Sequence, residues 1–370
     1  MSEPEPITTE SLPPAYKPVA FSNSVRLTGR EWLGVGLFAV LLVLLAPSLW
    51  KLVEPFEPGP DYRMPYELSN DYWHYDRWSS LAAAQNDVLV IGDSVVWGPY
   101  VAPGDTLSSH LAAASNRRFA NLGLNGAHPV ALAGLLEYYA GGVKGKAVLL
   151  QCNPLWMTSA VQDLQEEAQA PFNHPRLVPQ FSPRIPRYKA DVTTRLGNAI
   201  ARQASFTGWT DHLQAAYFEE ASMPKWTLEH PYENPLRQLA HGLPTPQDQP
   251  REEPVPWFTR GIKPQEMEWV DPATSLQWQG FRRAVAILQE RGNRVFVLVG
   301  PYNEHILKEA SRQRYQEVKQ TIVSWLQENN IPYLAPPVLE RELYGDASHP
   351  LAGGYQILAR QLLEQYFFQK

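Results

Sequence analysis

Four separated fragments of this 370-residue chain carry the residue types that nucleophilic acyl transfer needs. Ser94 follows Gly92 and Asp93 at the end of the apolar run Val88–Ile91. Gly126 closes the fragment Asn-Leu-Gly-Leu-Asn-Gly. Asn153 ends Leu-Leu-Gln-Cys-Asn before Pro154, and Asp346 and His349 stand in Asp-Ala-Ser-His near the C-terminus. A serine hydroxyl becomes a nucleophile when an imidazole takes its proton. A carboxylate three residues from that imidazole can hold its tautomer and stabilise the imidazolium. Ser94, His349 and Asp346 are therefore candidate catalytic residues. The backbone N–H groups of Ser94 and Gly126 and the side-chain amide of Asn153 are candidate donors to an oxyanion, each typically worth about 3 kcal/mol. Every fragment alone has a plainer reading: Ser94 as a helix cap, Asp346 to His349 as a surface turn, Asn153 as a turn former before proline. Their order and shared position at strand ends favour the joint one.

Such positions imply particular elements. Apolar runs at Val88–Ile91, Phe119–Leu122, Ala147–Leu150, Val295–Val299 and Pro332–Leu334 read as strands. Amphipathic stretches at Pro129–Tyr139, Leu276–Gln289, Lys308–Gln327 and Leu351–Phe367 read as helices between or after them. Five parallel strands with helices on both faces make a three-layer α/β/α, flavodoxin-like sheet, whose ligands sit beyond the C-terminal strand ends. Ser94, Gly126 and Asn153 then share one rim. Residues 154–274 interrupt this alternation as a large insertion containing 16 of the 34 prolines; only about Tyr188–Glu219 reads as one or two helices. Trp209, Trp226, Trp257 and Trp269 lie in the insertion. They either pack it onto the core or, for one or two of them, line a carbohydrate groove.

The segment Trp32–Trp50 has nineteen residues and no charge. At helical rise it spans roughly 28 Å, the thickness of a bilayer's hydrocarbon core. A largely polar stretch of about thirty residues precedes it and no small-residue cleavage site follows, so 30–53 reads as an uncleaved signal anchor. Trp32 and Trp50 fall where interfacial anchors belong. Lys17, Arg26 and Arg30 before the run against Lys51 and Arg63 after it favour a cytoplasmic N-terminus and an extracytoplasmic catalytic part. Residues 1–29 read as a disordered tail, 54–84 as a juxtamembrane linker, and 85–370 as the enzymatic domain. Net charge is −6 and no basic run is present, which argues against nucleic acid as a partner. The single cysteine, Cys152, excludes an intramolecular disulfide framework. No metal-ligand spacing, phosphate-binding loop, dinucleotide fingerprint or Gly-x-Ser-x-Gly elbow is found, so neither metal nor cofactor is expected. His74, His110 and His128 read as structural or exposed, with His128 near Gly126.

On these fragments the chain resembles the SGNH/GDSL hydrolase superfamily, whose four blocks contribute Ser, Gly, Asn and a C-terminal Asp-x-x-His. Ser94 matches the nucleophile, with Val95 in place of the leucine of the name; Gly126 matches the second block. Asn153 matches the third, although Gln151-Cys152-Asn153-Pro154 stands where Gly-x-Asn-Asp is usual. Asp346 and His349 match the fourth, and Pro350-Leu-Ala-Gly-Gly-Tyr continues it. The resemblance covers roughly 85–153 and 275–367. It implies an α/β/α fold, no metal, and cleavage or transfer of acyl esters. A membrane-anchored esterase acting on acyl, above all acetyl, esters of envelope polysaccharide is the leading expectation. Alternatives are an O-acyltransferase working beside a polytopic acyltransferase, and an inactive envelope protein of the same fold.

Overall fold

The computed structural model describes residues 27–168 and 173–369, so the tail expected at 1–29 lies almost wholly outside the described residues. The first element, α1 (Gly29–Val53), begins at a capping box formed by Thr28 and Glu31. Its apolar side chains are exposed along its length, Leu33 and Phe38 by more than two-thirds, which is not how a core helix is placed. It is long and apolar enough to cross a membrane.

Residues 54–84 are not merely a linker. Helix α2 (Tyr72–Gln85) fills half of the stretch, capped by Asp71, and buries Tyr75, Trp78 and Ala82 in the main core. The aromatic residues that gave the segment an irregular look are what dock it.

Strands β1 (Val88–Gly92), β2 (Phe119–Gly123), β3 (Ala147–Cys152), β4 (Arg294–Val299) and β5 (Tyr333–Leu334) form one all-parallel sheet in the order 2-1-3-4-5. That order is shared by flavodoxin-like doubly wound sheets. Val88 to Ile91 are fully buried, as continuous apolar runs in a parallel sheet must be. Each such side chain contributes about 1.5–3 kcal/mol of burial. Between β1 and β2 lie the short α3 (Ser94–Trp97) and α4 (Leu107–Ala113), and α5 (Pro129–Tyr139) leads to β3. The insertion carries α6 (Val192–Ala201), α7 (Ser205–Tyr217), α8 (Met223–Glu229) and α9 (Pro235–Gln238). Then come α10 (Leu276–Glu290), α11 (Glu309–Glu328), α12 (Ala352–Leu363) and α13 (Tyr366–Gln369). The last amphipathic stretch is thus broken after Leu363 instead of running unbroken to Phe367. Helices α5 and α10 pack together, as do α4 and α12. Right-handed crossovers that reverse direction at β1 put the two pairs on opposite faces.

The register aligns the strand ends. Gly92 pairs with Gly123, and Cys152 with Val299. The loops after β1, β2 and β3 therefore open on one rim, at the point where strand order reverses. That crevice is where such sheets bind ligands.

Candidate active site

Asp93 caps α3 by accepting the Val95 N–H at 2.8 Å, which fixes Ser94 as the first residue of that turn. The turn lies against the end of β2. A Cβ on Gly123 would stand 2.3 Å from the Trp97 nitrogen, so only glycine permits this approach. Buried Arg63 caps the turn's far end. It donates to the carbonyls of Trp97, Gly98 and Val101 and stacks on the Trp97 ring at 4.5 Å. Burial lowers the Arg63 pKa to about 10, which leaves it charged at neutral pH. The Tyr355 hydroxyl of α12 donates to the Val95 carbonyl.

The loop after β5 brings the other two candidates to this serine. His349 Nε2 lies 2.9 Å from Ser94 Oγ, and His349 Nδ1 lies 2.8 Å from each Asp346 oxygen. A carboxylate only accepts, so Nδ1 carries the proton, Nε2 of the neutral ring accepts, and the Ser94 hydroxyl donates. Asp346 also accepts the backbone N–H groups of Ser348 and His349, both at 2.9 Å, and the Tyr100 hydroxyl at 3.2 Å. Burial works against its charge. The His349 ring and these donors outweigh that and hold Asp346 well below the usual carboxylate range. Burial likewise opposes a charged His349, but Asp346 outweighs it and raises the imidazole above 6.5.

The insertion braces this loop. Trp257 donates its N–H to the Tyr344 carbonyl and its indole N–H to the Arg341 carbonyl. Arg260 donates to the Gly345 carbonyl and lies over the Tyr100 ring at 5.0 Å. Trp226, Trp257 and Trp269 are buried, and Trp209 packs on Trp50. Packing, not a sugar-binding groove, occupies these four rings.

The donors are arranged less simply than the sequence suggests. Among the described residues, neither the Ser94 N–H nor the Gly126 N–H meets an acceptor. Gly126 has φ +72°, a conformation natural to glycine, and a Cβ there would meet the Asn173 side chain at 2.4 Å. The Asn153 amide, expected as a third donor, gives one N–H to Asp93 Oδ2 at 2.8 Å, while its oxygen accepts from the Leu155 N–H. Asp93 thus orients Asn153 and leaves it one free amide hydrogen. The same Asp93 oxygen accepts the Trp156 indole N–H at 2.8 Å. Asp93, Trp156, Tyr100 and Arg63 escaped the sequence reading. Only the Gly-Asp-Ser context could have flagged Asp93. The others have no local signature.

His128 is buried and caps α5 through the Ala131 N–H, with its other nitrogen 3.2 Å from the Asn173 carbonyl; burial lowers its pKa to about 3. A cavity of about 750 Å³ lies near Gly126, but Ser94, Asn153, Asp346 and His349 do not line it. Asn125 and Asn173 line it on the site side, and Tyr66, Tyr217, Glu220 and His241 line it elsewhere. Among the described residues no three His, Cys, Asp or Glu side chains are grouped to hold a metal ion.

In comparisons with known proteins, no family model matches the chain and no curated protein matches it significantly.

Proposed function

We propose that the protein is a membrane-anchored serine esterase of the SGNH type. The observation that carries this reading is the unbroken hydrogen-bond chain from Ser94 through His349 to Asp346. His349 Nε2 accepts the Ser94 proton as Oγ attacks the ester carbonyl. Asp346 stabilises the imidazolium, and the N–H groups of Ser94 and Gly126, with the free hydrogen of Asn153, receive the oxyanion. His349 then protonates the leaving alkoxide. Water, deprotonated by the same nitrogen, releases the acid and restores Ser94. The same acyl-enzyme supports a second reading, in which a sugar hydroxyl replaces water and the protein transfers the acyl group. The exposed apolar helix α1 supports anchoring, with the catalytic part extracytoplasmic by the charge bias around it.

The test uses the full chain in detergent with p-nitrophenyl acetate. Wild type is expected to hydrolyse it, with an acyl adduct on Ser94 seen by mass spectrometry, and Ser94→Ala is expected to lose at least about 10³-fold in kcat. Unchanged hydrolysis by Ser94→Ala would sink the proposal. Adding an oligosaccharide acceptor separates the two readings: acylated acceptor means transfer, and free acid alone means hydrolysis.

A further inference from the structure

Helix α6 is amphipathic in the inverted sense. Its long polar residues and its C-cap Arg202 face the domain, although Thr193 and Thr194 are exposed. Arg195 donates to the carbonyls of Gln180, Tyr188 and Ala190, Asn198 to the Gln180 side chain and the Tyr188 hydroxyl, and Arg202 to the carbonyls of Arg176 and Val178. Its apolar residues, spaced at i, i+4 and i+8, face outward: Val192, Leu196 and Ile200 are 66%, 49% and 63% exposed. A helix in water presents the opposite arrangement. The outer face of α6 therefore has an apolar partner.

Its position indicates which partner. Thr207 of α7 donates to the Ala201 carbonyl, joining α6 to α7. In α7, Phe206 packs on Trp209, and Trp209 packs on Trp50, the residue that ends the uncharged run of α1. Trp50 also packs against the buried cluster of Tyr217, Phe218 and Trp226, which ties α8 to the same place. Just beyond, Leu228, Tyr232 and Leu236 project outward, Tyr232 almost fully exposed. Among the described residues, every exposed large apolar side chain outside α1 lies between Val192 and Leu236 except Phe181 and Val338. The exposed apolar surface of the domain is thus gathered in the segment that grips the membrane end of α1.

We propose that α6 to α9 form a monotopic collar, whose outward apolar residues rest in the headgroup–acyl boundary of the bilayer that α1 crosses. The inference rests on reading α1 as a membrane span. It assigns the insertion a membrane-seating role distinct from its bracing of the His349 loop.

The test uses the full chain in phospholipid vesicles, with one fluorophore attached at Leu196→Cys, Leu228→Cys, Val338→Cys or Leu41→Cys. Native Cys152 is buried and stays unlabelled. Nitroxide lipids with shallow or deep quenchers report bilayer contact, and iodide reports water. The proposal expects shallow nitroxide to remove most emission at positions 196 and 228 and little at 338, and deep nitroxide to quench position 41. Positions 196 and 228 open to iodide while 41 is quenched would overturn the collar and leave the anchor standing. Shielding of 196 and 228 from both quenchers would overturn it in favour of a protein partner or a second copy. An unquenched position 41 would remove the anchor and the collar together.

Discussion

Ser94, His349 and Asp346 come from opposite ends of the chain, yet one proton path connects them. Its pH dependence follows from the direction in which His349 is shifted. The ring must be neutral to accept the serine proton, and Asp346 raises its pKa above 6.5 against the opposing effect of burial. Activity in the proposed esterase is therefore expected to fall as pH drops through a midpoint above 6.5. Asp346→Asn removes that support and the tautomer control. It should lower kcat by about 10³–10⁴-fold and move the acid midpoint downward, as a pH–rate profile of p-nitrophenyl acetate hydrolysis would show. A midpoint unmoved by the substitution would mean that His349 is not the titrating base. These three residues were legible in the sequence because their fragments are short and local. Asp93 stands beside Ser94 in the same fragment, but its work of aiming Asn153 and Trp156 depends on side chains about sixty positions away. No local pattern encodes that.

At the scale of elements, the four longer strands were readable as apolar runs and came out within two residues of their expected ends, because a strand buried on both faces has to be continuously apolar. The stretch 54–84 has the composition of a linker but folds as part of the domain. Its Pro, Tyr and Trp residues pack, and Arg63 within it holds the last carbonyls of the serine-bearing turn. Arg63→Met would leave the Trp97 and Val101 carbonyls unpaired, at about 1–3 kcal/mol for each lost partner, while Gly98 keeps the Val101 N–H. Thermal melting of the full chain should fall accordingly. In the proposed esterase kcat should fall more than KM rises, since α3, which carries Ser94, loses its restraint. A melting temperature equal to wild type would show that Arg63 is dispensable to the turn. The helices of the insertion were only partly foreseen, at Val192–Ala201 and Ser205–Tyr217. Periodicity can reveal that α6 has two faces. It cannot reveal that the polar one points inward.

The whole molecule is joined at a buried charge cluster where α1 ends. His212 of α7 sits between two carboxylates, Nδ1 at 2.6 Å from Asp71 and Nε2 at 2.8 Å from Glu54. Both nitrogens must donate, so the ring is an imidazolium. Burial opposes that charge, but the two carboxylates prevail and raise it to about 9. Glu54 also accepts from Trp50, Tyr217 and Arg77; burial opposes its charge, but His212 above all, with Tyr217 and Trp50, lowers it to about 2. The signs define a window. The stabilisation from His212 is complete below 6.5 and is lost as pH rises through about 9. That from Glu54 is complete above 4.5 and is lost as pH falls toward about 2. Melting temperature should therefore be highest between these limits and decline toward pH 9. His212→Gln should flatten the alkaline decline while costing about 3 kcal/mol, because it leaves buried Asp71 without its counter-charge while Glu54 keeps Arg77. An alkaline decline of unchanged slope in that variant would assign the titration to another group.

The same junction has a geometric consequence. Helices α1, α2 and α7 meet through the Glu54–His212–Asp71 cluster and tilted or edge-on aromatic rings, not through a loose tether. A loosely tethered enzyme sweeps a hemisphere whose radius grows with its leash. A clamped one carries its serine at a single altitude over the lipid, turning about the membrane normal like a tool fixed on a spindle. On the proposed reading, its substrates are esters that pass through that thin stratum, and a polymer is processed as it threads by near the surface, not along its distant reaches.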